Sequence, residues 1–205
     1  MTAAKTHTII FDLGNVILPF DLIPPCNEIG ALCGLDGREV ARRIYRSNLE
    51  RWFEAGLIDG AQFTQRVGKL LGITLDEAWL RPRWADIFTE NVETTALIRR
   101  LKHHHPLILL SNTCVWHWEL ALSKFAILRE IPKRVLSYEE KAMKPHPAIY
   151  RAALEKADPG RPAIFIDDIE NNAAAATMMG IHGIHFQSAA QLEADLRALG
   201  CVLDD

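Results

Sequence analysis

Five short stretches of this chain are almost continuously apolar: residues 8–11, 107–110, 135–136, 163–166 and 183–186. Runs without a polar alternation are what parallel strands buried on both faces require. Between them the apolar positions recur at helical spacing. Residues 94–103 are amphipathic and end in basic side chains, which suit a helix C-terminus. Residues 147–157 are alanine-rich with a proline in the first turn, and residues 171–179 run into Gly180, a helix-ending residue. Residues 191–199 form a last helix before Gly200. Strands alternating with helices predict an α/β protein with a doubly wound parallel sheet.

One interval breaks that alternation. From about residue 20 to 91 the pattern is helical throughout, with stretches at 38–55, 59–71 and 74–88 punctuated by Gly56, Gly60 and Gly72. A helical insertion between the first and second strands follows, standing over the C-terminal edge of the sheet, where open α/β sheets bind their ligands. Trp52, Trp79 and Trp84 are expected to pack the core of this insertion.

Composition narrows the field. The 205 residues suit one domain with a modest insertion. A net charge of −3 offers no electrostatic footprint for nucleic acid or an anionic membrane. No apolar run approaches the roughly 20 residues that span a bilayer. Residues 1–7 are too short and polar before the first strand to read as a secretory signal. Cys26, Cys33, Cys114 and Cys201 form no CxxC pair, so reduced thiols in the cytoplasm are expected, with Cys114 a small buried residue. His103, His104 and His105 read as a solvated helix end, because adjacent helical residues diverge and Pro106 follows.

The polar groups at the strand tips carry the chemistry. Asp12, Gly14 and Asn15 follow the first strand, and Ser111, Asn112 and Thr113 end the second. Lys141 and Lys144 precede the helix at 147, with Lys141 expected to be a solvated charge. Asp167 and Asp168 end the fourth strand, with Asn171 and Asn172 beyond. A sheet of this type gathers its tips along one rim. Carboxylates with a backbone carbonyl are hard oxygen ligands that favour Mg²⁺. A lysine and a hydroxyl beside them suit the oxygens of a phosphoryl group, and Asp12 would attack it to form an aspartyl-phosphate. Gly14 is expected to turn the chain sharply and present its carbonyl inward. Ser111 and Asn112 also have a plainer reading, as an N-cap for a helix starting at Thr113.

With these four segments in order, the chain resembles the haloacid dehalogenase-like hydrolase superfamily. Its "DLGNV", "SNTCVWHW" and "KPHPAIY" are similar to segments of the bacterial glucose-1-phosphate phosphatase group within it. The resemblance implies Asp12 as nucleophile, Ser111 as phosphate binder, Lys144 as the lysine of the third motif and Asp167 as a metal ligand. Asp168 and Asn172 match the outer shell of the acidic motif. Asn112 joins the catalytic set, and Asp12, Gly14, Asp167 and Asp168 form the metal set. Residues 20–91 correspond to a helical cap, leaving 1–19 and 92–205 as the core. The expected partner is a small phosphorylated substrate such as a sugar phosphate, with no nucleic acid or membrane, in a monomer or homodimer.

One departure matters. Most phosphatases of the superfamily carry a second aspartate two places after the first, as general acid and later base; here that place is Gly14. Asp21, His117, a water, or a substrate with a good leaving group would have to compensate. A metal-independent 2-haloacid dehalogenase is the alternative within the fold, although the Asp167–Asp168 pair argues for a cation. A catalytically silent binding protein is the alternative outside catalysis.

Overall fold

The computed structural model describes residues 6–203, so the polar start of the chain, residues 1–5, lies outside it. Five parallel strands carry the fold: β1 (Thr8–Phe11), β2 (Leu107–Ser111), β3 (Lys133–Leu136), β4 (Ala163–Asp167) and β5 (His182–His185). Their order across the sheet is β3-β2-β1-β4-β5, with β1 in the middle, Phe11 opposite Leu109 on one side and Ile166 on the other. The chain builds outward from β1 to β3, then crosses back to lay β4 on the other side. That reversal opens a crevice between the tips of β1 and β4.

The period-two alternation of a strand sorts its side chains between two layers. Ile9, Phe11, Leu107, Leu109, Ile164 and Ile166 face a cluster completed by α6 (Val92–Leu101), α7 (Val115–Lys124) and α11 (Ala189–Ala198). Ile10, Ile108, Leu110, Val135 and Phe165 face the opposite layer, filled by α9 (Pro147–Lys156) and α10 (Glu170–Met178). Both faces are therefore covered, which explains why the strands read as unbroken apolar runs.

Between β1 and β2 lie α1 (Ile23–Cys33), α2 (Gly37–Arg46), α3 (Leu49–Glu54), α4 (Gly60–Leu71) and α5 (Glu77–Ala85). They bury a cluster of their own, centred on Ile29, Ile44, Phe53, Phe63, Val67, Leu80 and Trp84. Phe63 and Trp84 are fully buried, each contributing roughly 1.5–3 kcal/mol by leaving water. Cys114 and Trp116, from just beyond β2, complete this cluster and seat the helices on the rim of the sheet. Cys114 is buried, as expected.

Three expectations need correction. The stretch 38–55 is two helices, because Asn48 takes a left-handed backbone (φ 61°) and the Ser47 hydroxyl donates to the Ile44 carbonyl at 2.6 Å. The break re-aims α3 and brings Glu50 and Glu54 to the rim. Trp52 is 39% exposed, so it does not pack the insertion core with Trp84; Arg66 covers its ring instead. His105 is buried rather than solvated. Its Nδ1 pairs with the backbone of His7 at 3.1 Å and its Nε2 with that of Val202 at 3.1 Å, tying the two ends of the chain together.

Candidate active site at the strand tips

Asp12 is delivered by β1, whose ladder runs one bond further: the Asp12 N–H donates to Ile166 O at 2.9 Å. Asp167 ends β4 beside it. Lys144, from the loop before α9, reaches in between and bonds both, its Nζ 2.7 Å from Asp12 Oδ1 and 2.7 Å from Asp167 Oδ2. All three side chains are buried. Burial works against the Lys144 charge, but the two carboxylates outweigh it and raise its pKa. Burial lifts Asp12 to about 7 despite the attraction of Lys144, with Asp167 adding to the rise.

Asp167 is held by several donors. Asn172 bonds its two oxygens at 3.0 and 3.2 Å, and the Ile169 N–H bonds Oδ1 at 2.8 Å. Asp168 Oδ2 accepts from Asn15 Nδ2 at 2.9 Å, linking the tips of β1 and β4 through side chains. Oxygens of Asp12, Asp167 and Asp168 all lie within 4.8 Å of one another. Three carboxylates against one ammonium leave an excess negative charge, which fits a divalent cation bound through oxygen.

Gly14 differs from the expectation. Its φ is not positive; the left-handed residue of the turn is Asn15, at φ 54°. The Gly14 carbonyl accepts from Val16 N at 2.7 Å, leaving its second lone pair. Glycine matters here for space, because a Cβ would meet the Phe20 ring at 3.1 and 3.4 Å.

Ser111 and Asn112 do not cap a helix. Helix α7 begins only at Val115, with Cys114 at its N-cap and no side-chain bond there. Asn112 instead clamps the lysine loop, donating to Lys144 O at 3.1 Å and accepting from Lys144 N at 2.8 Å. Lys141 is exposed, yet its Nζ reaches Gly56 O at 2.8 Å and so joins that loop to the insertion. Ser137 strengthens the same junction: its hydroxyl accepts from Thr113 N at 2.9 Å and donates to Glu54 O at 2.6 Å.

Two spaces that share lining residues lie at these tips. An inner cavity of about 80 Å³ is lined by Gly14, Phe20, Ser111, Asn112, Thr113 and His117 among others. An outer cleft of about 410 Å³ is lined by Arg46, Asn48, Arg51, Asn112 and Lys144 among others, within the usual range for a small ligand. Glu50 and Glu54 line both. Larger grooves of about 610 and 630 Å³ run along the insertion, away from the strand tips.

The structure thus brings together Asp12, Ser111, Asn112, Lys144, Asp167 and Asp168 as expected from the sequence. The two side chains expected to compensate for Gly14 are both held in hydrogen bonds. Asp21 is exposed and its Oδ1 accepts from Ile23 N at 2.8 Å. His117 is buried against Trp84 O at 2.9 Å, and burial pushes its pKa down to about 4. Glu54 escaped sequence reasoning, since it sits in a helix with no motif of its own. Asn15 stands among the strand-tip residues named from the sequence, but its bond to Asp168 was not foreseen.

A family model described as haloacid dehalogenase-like hydrolase matches residues 6–180. No curated protein matches the chain. Among solved structures, the chain is similar to a HAD family enzyme of Bacteroides thetaiotaomicron in complex with magnesium and inorganic phosphate. The identity is 23% and the TM-score 0.78, covering 92% of this chain and 99% of that one. A predicted HAD-like family hydrolase of Porphyromonas gingivalis aligns at 21% identity and TM-score 0.78, covering 96% and 98%. The L-2-haloacid dehalogenase of Xanthobacter autotrophicus, with chloropropionic acid covalently bound, aligns at 15% identity and TM-score 0.65, covering 95% and 83%.

Proposed function

Since the chain belongs to the haloacid dehalogenase-like hydrolases, we propose that it is a Mg²⁺-dependent phosphatase acting on a small phosphorylated metabolite through an aspartyl-phosphate at Asp12. One observation carries this reading: three carboxylates within 4.8 Å at the tips of adjacent strands, with Lys144 bridging two of them at 2.7 Å. The magnesium and phosphate bound by the Bacteroides enzyme support it. A haloacid dehalogenase shares the fold, but halide displacement has no use for so much buried negative charge. Residues 20–91 are the cap in this reading, over a core of 1–19 and 92–205.

Asp12, Asp167, Asp168 and the Gly14 carbonyl would hold Mg²⁺, which when bound offsets the charge of the phosphoryl oxygens. Asp12 attacks phosphorus, mounted on a central strand that fixes its direction. Lys144 opposes the burial that raises Asp12 and takes up phosphoryl charge, and Ser111 and Asn112 orient the remaining oxygens. Asn172 holds Asp167 in one orientation. The outer cleft, bearing Arg46 and Arg51, receives the rest of the substrate. A sugar 1-phosphate suits it, since the anomeric oxygen leaves readily.

Release of phosphate from p-nitrophenyl phosphate tests the reading. Turnover with Mg²⁺ that falls to background with EDTA, and in Asp12→Asn, is expected. Undiminished turnover in EDTA, or chloride release from 2-chloropropionate without metal, would overturn it. A panel of phosphorylated metabolites then identifies the substrate.

A further inference from the structure

We propose that Glu54, from the helical insertion, is the general acid and later the general base that stands in for the carboxylate missing at position 14. This rests on the phosphatase reading. A side chain at position 14 would crowd the Phe20 ring, which lies 3.1 Å from where its Cβ would be. Asp21 accepts from Ile23 N, and His117, although it lines the inner cavity, is paired with the Trp84 carbonyl. Glu50 and Glu54 are the carboxyls that remain, both lining the inner cavity with Gly14, Ser111 and Asn112 and the outer cleft with Lys144, and Glu54 is the one close enough to Asp12 and Lys144 to feel their charges. Among the described residues its carboxyl makes no hydrogen bond or ion pair.

Its backbone is held firmly while its side chain stays uncommitted. Ser137 grips the Glu54 carbonyl at 2.6 Å, and Lys141 grips the Gly56 carbonyl at 2.8 Å. Both anchors lie in the connection between β3 and α9, so the end of α3 is set against the loop that carries Lys144.

The surroundings keep the proton on. Burial first, then Glu50 one turn earlier on α3, raises Glu54 to about 8. Asp12 adds to the rise and Lys144 opposes it. Glu50 is itself raised by burial, and Arg46 and Arg51 line only the outer cleft. A carboxyl in this state is a proton donor at neutral pH. As Asp12 Oδ bonds to phosphorus and the bond to the leaving oxygen breaks, the Glu54 proton passes to that oxygen. Water then attacks phosphorus, gives its proton to the Glu54 carboxylate, and the Asp12–phosphorus bond breaks, restoring both groups.

First-turnover release of phenol and of 2,4-dinitrophenol from their phosphates, in the Mg²⁺-loaded protein, separates this role from others. General acid help is typically worth ~10²–10⁴-fold. Glu54→Gln is expected to slow phenyl phosphate about 100-fold and dinitrophenyl phosphate only a few-fold, because the better leaving group needs no proton. Glu54→Asp, which keeps an acid, is expected to recover part of the phenyl phosphate rate. Equal losses on both substrates, no loss, or the selective loss appearing in Glu50→Gln instead would overturn the proposal. Failure of the phosphatase reading is distinct: neither substrate would then respond to Mg²⁺ or to Asp12→Asn.

Discussion

Replacing Glu54 by glutamine should make this protein more stable at neutral pH. A carboxyl that ionises near 4.5 in the unfolded chain and near 8 in the folded one holds a proton that unfolding releases. Stability from that site is therefore complete at low pH, declines as pH rises through 4.5, and levels off only above 8. At about 1.4 kcal/mol per pH unit, the upper bound on the loss at pH 7 is about 3 kcal/mol. The opening to the outer cleft lets water soften the burial, so roughly 1–2 kcal/mol is the working figure. Glutamine has nearly the same shape and carries no charge, so it escapes this cost. For a chain of this size 1 kcal/mol moves Tm by about 2–4 °C, so Glu54→Gln should melt about 3–6 °C higher at pH 7.5. At pH 5 the two proteins should melt nearly together. Thermal unfolding followed by circular dichroism, in EDTA and without phosphate, reads both values. A variant no more stable than the parent at pH 7.5, or a gap that persists at pH 5, would refute the reasoning. Stability given up at a working carboxyl is a familiar exchange at functional sites.

Two further outcomes follow from the packing. Lys144→Met leaves Asp12 and Asp167 buried without the ammonium between them, a loss of about 3–5 kcal/mol, and added Mg²⁺ should raise the Tm of this variant more than that of the parent. Gly183→Ala places a Cβ 2.0 Å from the Ala173 carbonyl oxygen, a backbone-to-backbone clash that no rotamer relieves; a drop of at least about 1–3 kcal/mol in urea unfolding is expected.

The central sheet was legible in the sequence because parallel strands covered on both faces have to be apolar at every position, as Ile9, Ile10 and Phe11 are. The rim residues were legible because strand ends and their polar followers lie together in the chain, as Asp12 does with β1 and Asp167 with β4. What escaped depends on contacts between distant segments. The break at Asn48 is invisible to helical spacing, since polar residues there continue the stripe while the backbone turns left-handed. His105 reads as solvated until the far end of the chain, at Val202, closes over it. The sequence points to Gly14 for the turn after Asp12, whereas Asn15 adopts the special conformation and Gly14 makes room for Phe20. Glu54 gains its meaning only when α3 docks through Ser137 against the tip of β2.

The most direct measurement is chemical capture at residue 12. Brief turnover with Mg²⁺ and a phosphorylated substrate, followed by an acid quench and reduction with borohydride, converts an acyl phosphate to an alcohol. Homoserine at position 12, absent without Mg²⁺ and absent in Asp12→Asn, is the result expected. Steady turnover with the phosphoryl group captured on some other side chain, or on none, would contradict the account.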